Sequence, residues 1–274
     1  MTTTASLSHR AAGPARGGYS FRTVAQMEWQ KLRTVRSTWY IVAAFAATMT
    51  GLAVLALSHE NYAQLSAADR ASFDPTHDCF IGLVLGQFLF GTLGVLAVTA
   101  EFSSGMIRAT FAAAPRRPLV LIAKAAVVGA VTLAAGEVSA IAAFFAGQAA
   151  LTPPAPHAAL GQPGVLRAVL MAGAYPALIA LISLGIGAFI RHTAGAICVV
   201  VGVLFVLPLL FTPLSTSVQQ AAQNFLPHPM AASSLTAVEP VAGAASPWLA
   251  GCLLCGYAVA ALAAGSWALA RRDA

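Results

Sequence analysis

The chain has nine acidic residues among 274, so a carboxylate that falls within or beside an apolar run needs a chemical reason. Glu137 is the only one deep inside such a run. A charged side chain at mid-membrane costs about 2.5–3.5 kcal/mol on insertion scales, so Glu137 is expected to face a bundle interior or a cavity. Two readings stay open for it: a substrate or proton site, or a hydrogen bond to a neighbouring helix that fixes packing. Glu28 borders an apolar stripe and has Lys31 one turn on. It reads either as half of a solvated surface pair or as a contact to the basic segment 101–117. That segment, EFSSGMIRATFAAAPRR, carries Glu101, Arg108, Arg116 and Arg117 between two long apolar runs.

Other chemistries do not find the residues they need. Ser103 and Ser104 stand beside Gly105, but no buried histidine is at hand to activate either hydroxyl, so no enzyme is expected. The six histidines lie mostly in tails and loops without metal-ligand spacing, and H-E-x-x-H is absent, so no metal site is expected. Cys252 and Cys255 form a CxxC without a second pair or a nearby histidine. Gly251/Cys255 and Cys252/Gly256 fit small-residue helix packing better, and the four cysteines show no disulfide framework. G-x-x-x-x-G-K-[ST] is also absent, so the chain lacks the backbone nest and lysine that hold ATP. No cofactor is expected on this chain, and ATP-driven work would fall to another polypeptide.

The elements that position these residues are helices in lipid. The chain is 58% hydrophobic and 9% charged, against about 25% charged for a soluble domain. Its net charge of +6 sits at the ends of apolar runs, the pattern that orients a membrane protein rather than one that binds nucleic acid. Residues 1–19 read as a disordered cytosolic tail and 20–274 as one transmembrane domain. No apolar core with a cleavage site occurs in residues 1–30, so the first span is expected to direct insertion. Phe21 to Arg36 reads as an amphipathic interfacial helix, with Phe21, Val24, Ala25, Trp29, Leu32 and Val35 on one face and Trp29 as its anchor. Six runs reach the ~20 apolar residues that a crossing needs: about 38–58, 80–100, 119–148, 165–190, 193–211 and 247–270.

Six crossings put both termini on one side. With that side cytosolic, thirteen of the Lys and Arg residues lie inside, and only Arg70 and Arg167 lie outside, which places 101–117 in the cytosol. There Met106, Ile107, Thr110, Phe111 and Ala114 recur at helical spacing. Ser103 or Ser104 is expected to cap this short helix and Pro115 to stop it. Pro213, Pro227, Pro229 and Pro240 punctuate 212–246, which is too apolar for a free loop and is expected to form short re-entrant or surface-lying helices. Pro176, Pro208 and Pro213 are expected to kink or end the fourth and fifth spans. Gly82 and Gly86 form a GxxxG that suits close packing within or between subunits.

Three stretches carry a resemblance: MEWQKLRTVRSTWY at 27–40, EFSSGMIRATFAAAPRR at 101–117 and PLVLIAKA at 118–125. Together with the order of elements, they resemble the permease subunits of ATP-binding-cassette exporters of the type 2 family. The resemblance implies an all-α membrane protein of six transmembrane helices, with an N-terminal interfacial helix and a cytosolic coupling helix between spans two and three. It implies that Glu101, Ser104, Gly105, Arg108, Pro115, Arg116 and Arg117 meet a separate ATPase subunit, with Glu28 and Lys31 of the interfacial helix nearby. It also implies a second permease copy, as a homodimer or related heterodimer in the cell membrane, with ATP and magnesium held by the ATPase partner. A hydrophobic or amphipathic compound would be exported. The competing expectation is a membrane scaffold or assembly protein without transport activity.

Overall fold

The computed structural model describes residues 20–60, 62–113, 116–237 and 246–271. The tail expected at 1–19 and the stop expected at Pro115 lie outside them. Ser20 caps the first helix, α1 (Phe21–Thr34), through its hydroxyl and the Arg22 N–H. The helix breaks at Val35, whose backbone is extended, and the chain restarts at once as α2 (Arg36–His59). Short helices α3 (Ala67–Ser72) and α4 (Pro75–Asp78) lead into α5 (Leu83–Ser103), and α6 (Met106–Ala113) joins it to the long α7 (Arg117–Ala150). The chain continues as α8 (Val165–Ile190), then α9 (Thr193–Val201), a π-helical turn at Gly202–Val206 and α10 (Leu207–Phe211). It ends with α11 (Thr216–Phe225), α12 (Pro227–Leu235) and α13 (Pro247–Arg271).

Six of these helices are long and apolar enough to cross a membrane, counting α9 to α10 as one continuous span. Among the described residues there is no β-strand. The chain is an all-α protein of six membrane-spanning helices, and the six expected runs match the observed helices to within about three residues at most ends.

Helix α8 is the central post. It packs against α5, α7 and α13, and more of it is buried than of any other span among the described residues. A helix apolar all round is suited to that position. Close approach depends on small residues, because hydrocarbon gives helices no hydrophobic reason to associate and only tight contact does. At Gly94 on α5 a Cβ would be driven into the Ala180 carbonyl of α8. Gly82 and Gly86 do form a packing face, and it lies within the chain: a Cβ at Gly82 would stand 2.7 Å from Met49 Cα, and one at Gly86 2.8 Å from the Phe45 ring. Phe45 in turn stacks on Phe90 with ring centroids 4.0 Å apart. Between α5 and α8, the Tyr175 hydroxyl donates to Gln87 Oε1 at 2.5 Å, pairing two polar groups in an apolar interior.

The prolines act differently from one another. Pro176 lies inside α8, which runs through it unbroken. Pro208 follows the π-helical turn, whose wider winding accommodates a residue that lacks an N–H and crowds the preceding turn. Pro213 ends the fifth span, since α10 stops at Phe211. Helix α12 packs against α8 and α13, burying Met230 and Leu235, so part of the Pro-rich segment is structured as expected. At the same end of the bundle, Asp74 accepts from the Ala237 N–H at 2.6 Å and Arg167 donates to the Thr236 carbonyl at 2.7 Å.

Cys79 is packed between Pro75 and the Phe144 carbonyl, and burial pushes its thiol up to about 11, so it serves as packing rather than as a nucleophile. Cys252 and Cys255 are exposed, Gly256 has open space around it, and Gly251 makes only ordinary contact with Met171. Among the described residues, the small-residue packing expected of that stretch is therefore not seen.

Gly94→Ala should destabilise the bundle by about 1–3 kcal/mol, the usual result of overpacking. Gly51→Ala, on an open face of α2, should be neutral or stabilising by about 0.5–1 kcal/mol. Thermal unfolding of both variants in the same detergent checks the contrast.

Candidate functional site

Ion pairs mark the site. Glu28 is on the face of α1 turned toward α7, where Val24 packs on Val120 and Ala123. This places its carboxylate within reach of Lys124, the eighth residue of α7. Lys124 pairs closely with Glu28 Oε2 and lies 2.6 Å from Glu101 Oε1 at the end of α5. Lys31 lies 2.9 Å from Glu28 Oε1 and 3.1 Å from Glu101 Oε1, and donates to Thr110 Oγ1 of α6 at 3.2 Å. Thr110 in turn donates to Glu101 Oε2 at 3.2 Å. Two ammonium groups and two carboxylates thus close a network across α1, α5, α6 and α7.

Burial gives the network its weight. The side chains of Glu28, Lys124 and Glu101 are only 2%, 6% and 9% exposed, whereas that of Lys31 is 28% exposed. Ion pairs on a surface contribute about 0–1 kcal/mol, but removing one partner of a buried pair leaves a charge uncompensated and costs about 3–5 kcal/mol. Burial works to discharge the Lys31 ammonium, yet hydrogen bonding and attraction from Glu28 and Glu101 outweigh it and raise its pKa above that of an ordinary lysine. The resulting contribution to stability is in full force below the unfolded lysine value of about 10.4 and is lost only as pH rises through the higher folded value.

The solvated-pair reading of Glu28 is thereby corrected: it is buried and bonds to two lysines on different helices. Its contact with 101–117 runs through both lysines: Lys31 reaches Glu101 and Thr110, and Lys124 reaches Glu101. Trp29, expected on the apolar face, is 41% exposed. Lys124 and Thr110 complete the cluster; the sequence places Thr110 on the stripe of the short helix but assigns neither residue a part in an ion network. Lys124 looks like one more flanking charge, and only the helical register of α7 turns it inward.

The other expected residues around 101–117 divide into two groups. Ser104, Gly105, Arg108 and Arg116 are exposed. Ser103 and Ser104 do not cap α6; both hydroxyls donate to the Ala100 carbonyl and finish α5. The turn into α6 is made by Gly105 in the left-handed region, φ 71°, where a side chain would be strained. Ile107 and Thr110 are buried beneath α6, while Met106 is exposed. Arg117 is engaged within the chain: it donates to the Leu269 carbonyl of α13 at 3.0 Å and lies over the Phe111 ring. Glu101 is buried in the ion network.

Glu137 faces Gly173 of α8, where a Cβ would stand 2.7 Å from Glu137 Cα. Its Oε2 is buried and has no hydrogen-bond partner among the described residues, so the structure does not supply the interhelical hydrogen bond of the packing reading. Among the described residues no cluster of His, Cys, Asp or Glu could hold a metal ion. Neither a family model nor a curated protein matches the chain.

Lys124→Met should cost about 3–5 kcal/mol, because Glu28 and Glu101 would remain buried with only Lys31 between them. The double variant Glu28→Met/Lys124→Met should lose clearly less than the sum of the two single changes. Chemical unfolding of the three variants in detergent, read as a double-mutant cycle, measures this coupling.

Proposed function

We propose that this chain is the membrane-spanning permease subunit of an ATP-binding-cassette exporter of the type 2 family, driven by a separate ATPase subunit. The observation that carries this reading is the ion network beneath α6. A helix to be pushed from outside must be rigidly joined to the spans it is to move, and Thr110 of α6 bonds into a cluster shared by α1, α5 and α7. Above that cluster, Ser104, Gly105, Arg108 and Arg116 are the exposed positions that an ATPase groove would meet.

In this reading the termini and α6 are cytosolic, as the thirteen-to-two distribution of Lys and Arg favours, and the membrane is the cell membrane. Two permease chains, identical or related, pair with two ATPase chains that hold the ATP and magnesium. Closure of the ATPases displaces α6, and the network passes the displacement to α5 and α7 as a unit, shifting the pair between two access states. The cargo is a hydrophobic or amphipathic compound moved outward.

Purification of the full chain in mild detergent should retain a soluble ATPase in a near one-to-one ratio. Arg108→Glu together with Arg116→Glu should weaken that retention at least about tenfold, since opposed like charges at an interface cost several kcal/mol. Retention of no ATPase by the wild-type chain would overturn the reading. Orientation has its own measurement: in a background without the four native cysteines, Ala109→Cys should react with an impermeant maleimide only after cells are permeabilised.

A further inference from the structure

Beside the ion network lies a cavity of about 440 Å³, between α1, α2, α5 and α7. Its walls are largely apolar, with Ile41, Leu93, Leu96, Ala97 and Val128, interrupted by Thr34, Ser37 and Thr38. Val35 and Met106, each about half exposed, line its mouth, and the polar end is formed by Glu28, Lys31, Glu101 and Lys124 with Ser104 alongside. The volume falls near the lower end of the ~300–1,000 Å³ of small-molecule sites, which are typically apolar with a few placed polar groups.

We propose that this cavity binds one single-chain amphiphile with an uncharged, hydroxyl-bearing head, its tail lying along Leu93, Leu96 and Val128 and its head at Glu101 and Ser104. The choice of head follows from the charges already present. The two lysines and two carboxylates neutralise one another at 2.6–3.1 Å or closer, so a formally charged head of either sign would enter a low-dielectric space without a free counter-charge. A hydroxyl avoids that cost. It can donate to Glu101 Oε2, which among the described residues accepts only from Thr110, or to Ser104 Oγ, whose own proton is spent on the Ala100 carbonyl at 2.7 Å; the three protons of the Lys31 ammonium are already given to Glu28, Glu101 and Thr110. The small volume favours one acyl chain over a two-chain lipid. The site lies within a single chain and does not depend on an ATPase partner.

The test uses the purified full chain, without ATPase, in phosphatidylcholine nanodiscs with a monoacylglycerol that carries a diazirine in its acyl chain. After irradiation, mass spectrometry should place adducts in the α5 segment around Leu93 and Leu96 and in α7 near Val128. Excess unlabelled monoolein should reduce them at least tenfold, while adducts at the exposed positions Val138 and Phe145 persist. Ala97→Phe, which fills the cavity, should produce the same loss; if that variant does not elute as a monodisperse species, the competition in the wild-type chain decides. Labelling confined to exposed positions, or cavity labelling that monoolein does not reduce, overturns the proposal. Stronger competition by the fatty acid or the alkylamine of equal chain length would also overturn it. None of these outcomes bears on whether an ATPase co-purifies, so the two readings fail separately.

Discussion

Four ionisable side chains enclosed together where water is scarce impose the tightest constraint on this molecule. None of them can be moved alone. Glu28 needs both lysines, Glu101 needs the same two, and Thr110 fills the remaining valence. Apolar packing holds spans against one another without strong directional preference, whereas this network fixes the rotation and depth of α1, α5 and α7 at one end. The break at Val35 follows from it: α1 must lie across α7 to bring Glu28 to Lys124, while α2 must turn away along the bundle.

The spans were legible because twenty-residue apolar runs have few other uses, and Val165–Ile190 coincides with its expected range. Local chemistry near residue 103 was less legible. Two serines before a short amphipathic segment look like an N-cap, but the same hydroxyls can end the preceding helix by bonding back to Ala100. Nothing in the local pattern separates these outcomes, because the decision rests on how far α5 extends before it must turn. The cluster itself was half visible. Glu28 and Glu101 stood out as rare acids, yet their partners are 96 and 23 residues away at Lys124, a pairing set by helix register and not by spacing along the chain. Arg117 misled in the opposite direction: a basic residue beside an exposed loop reads as available, but the close approach of α13 claims it.

Glu137 and the ion network show two ways in which the bundle handles charge. At the network, opposite charges share one enclosure and satisfy one another. At Glu137, the opposing α8 backbone comes so near that only glycine fits at 173, and one carboxyl oxygen is left without a partner among the described residues. The first arrangement fixes geometry, and the second leaves a polar atom where little else in the span can answer it.

Two arginines close the final helix. Arg117 donates to the Leu269 carbonyl and Arg191, itself in the left-handed region at the end of α8, donates to that of Ala268 at 2.9 Å. The terminal carbonyls of α13 would otherwise present unsatisfied partial negative charge, and cationic donors suit that pole. In the orientation proposed above, these same residues belong to the excess of basic side chains on the cytosolic side. On that reading one pair of guanidinium groups would serve both insertion and the finished architecture, so a substitution at either would weaken the seal on α13 along with the charge bias.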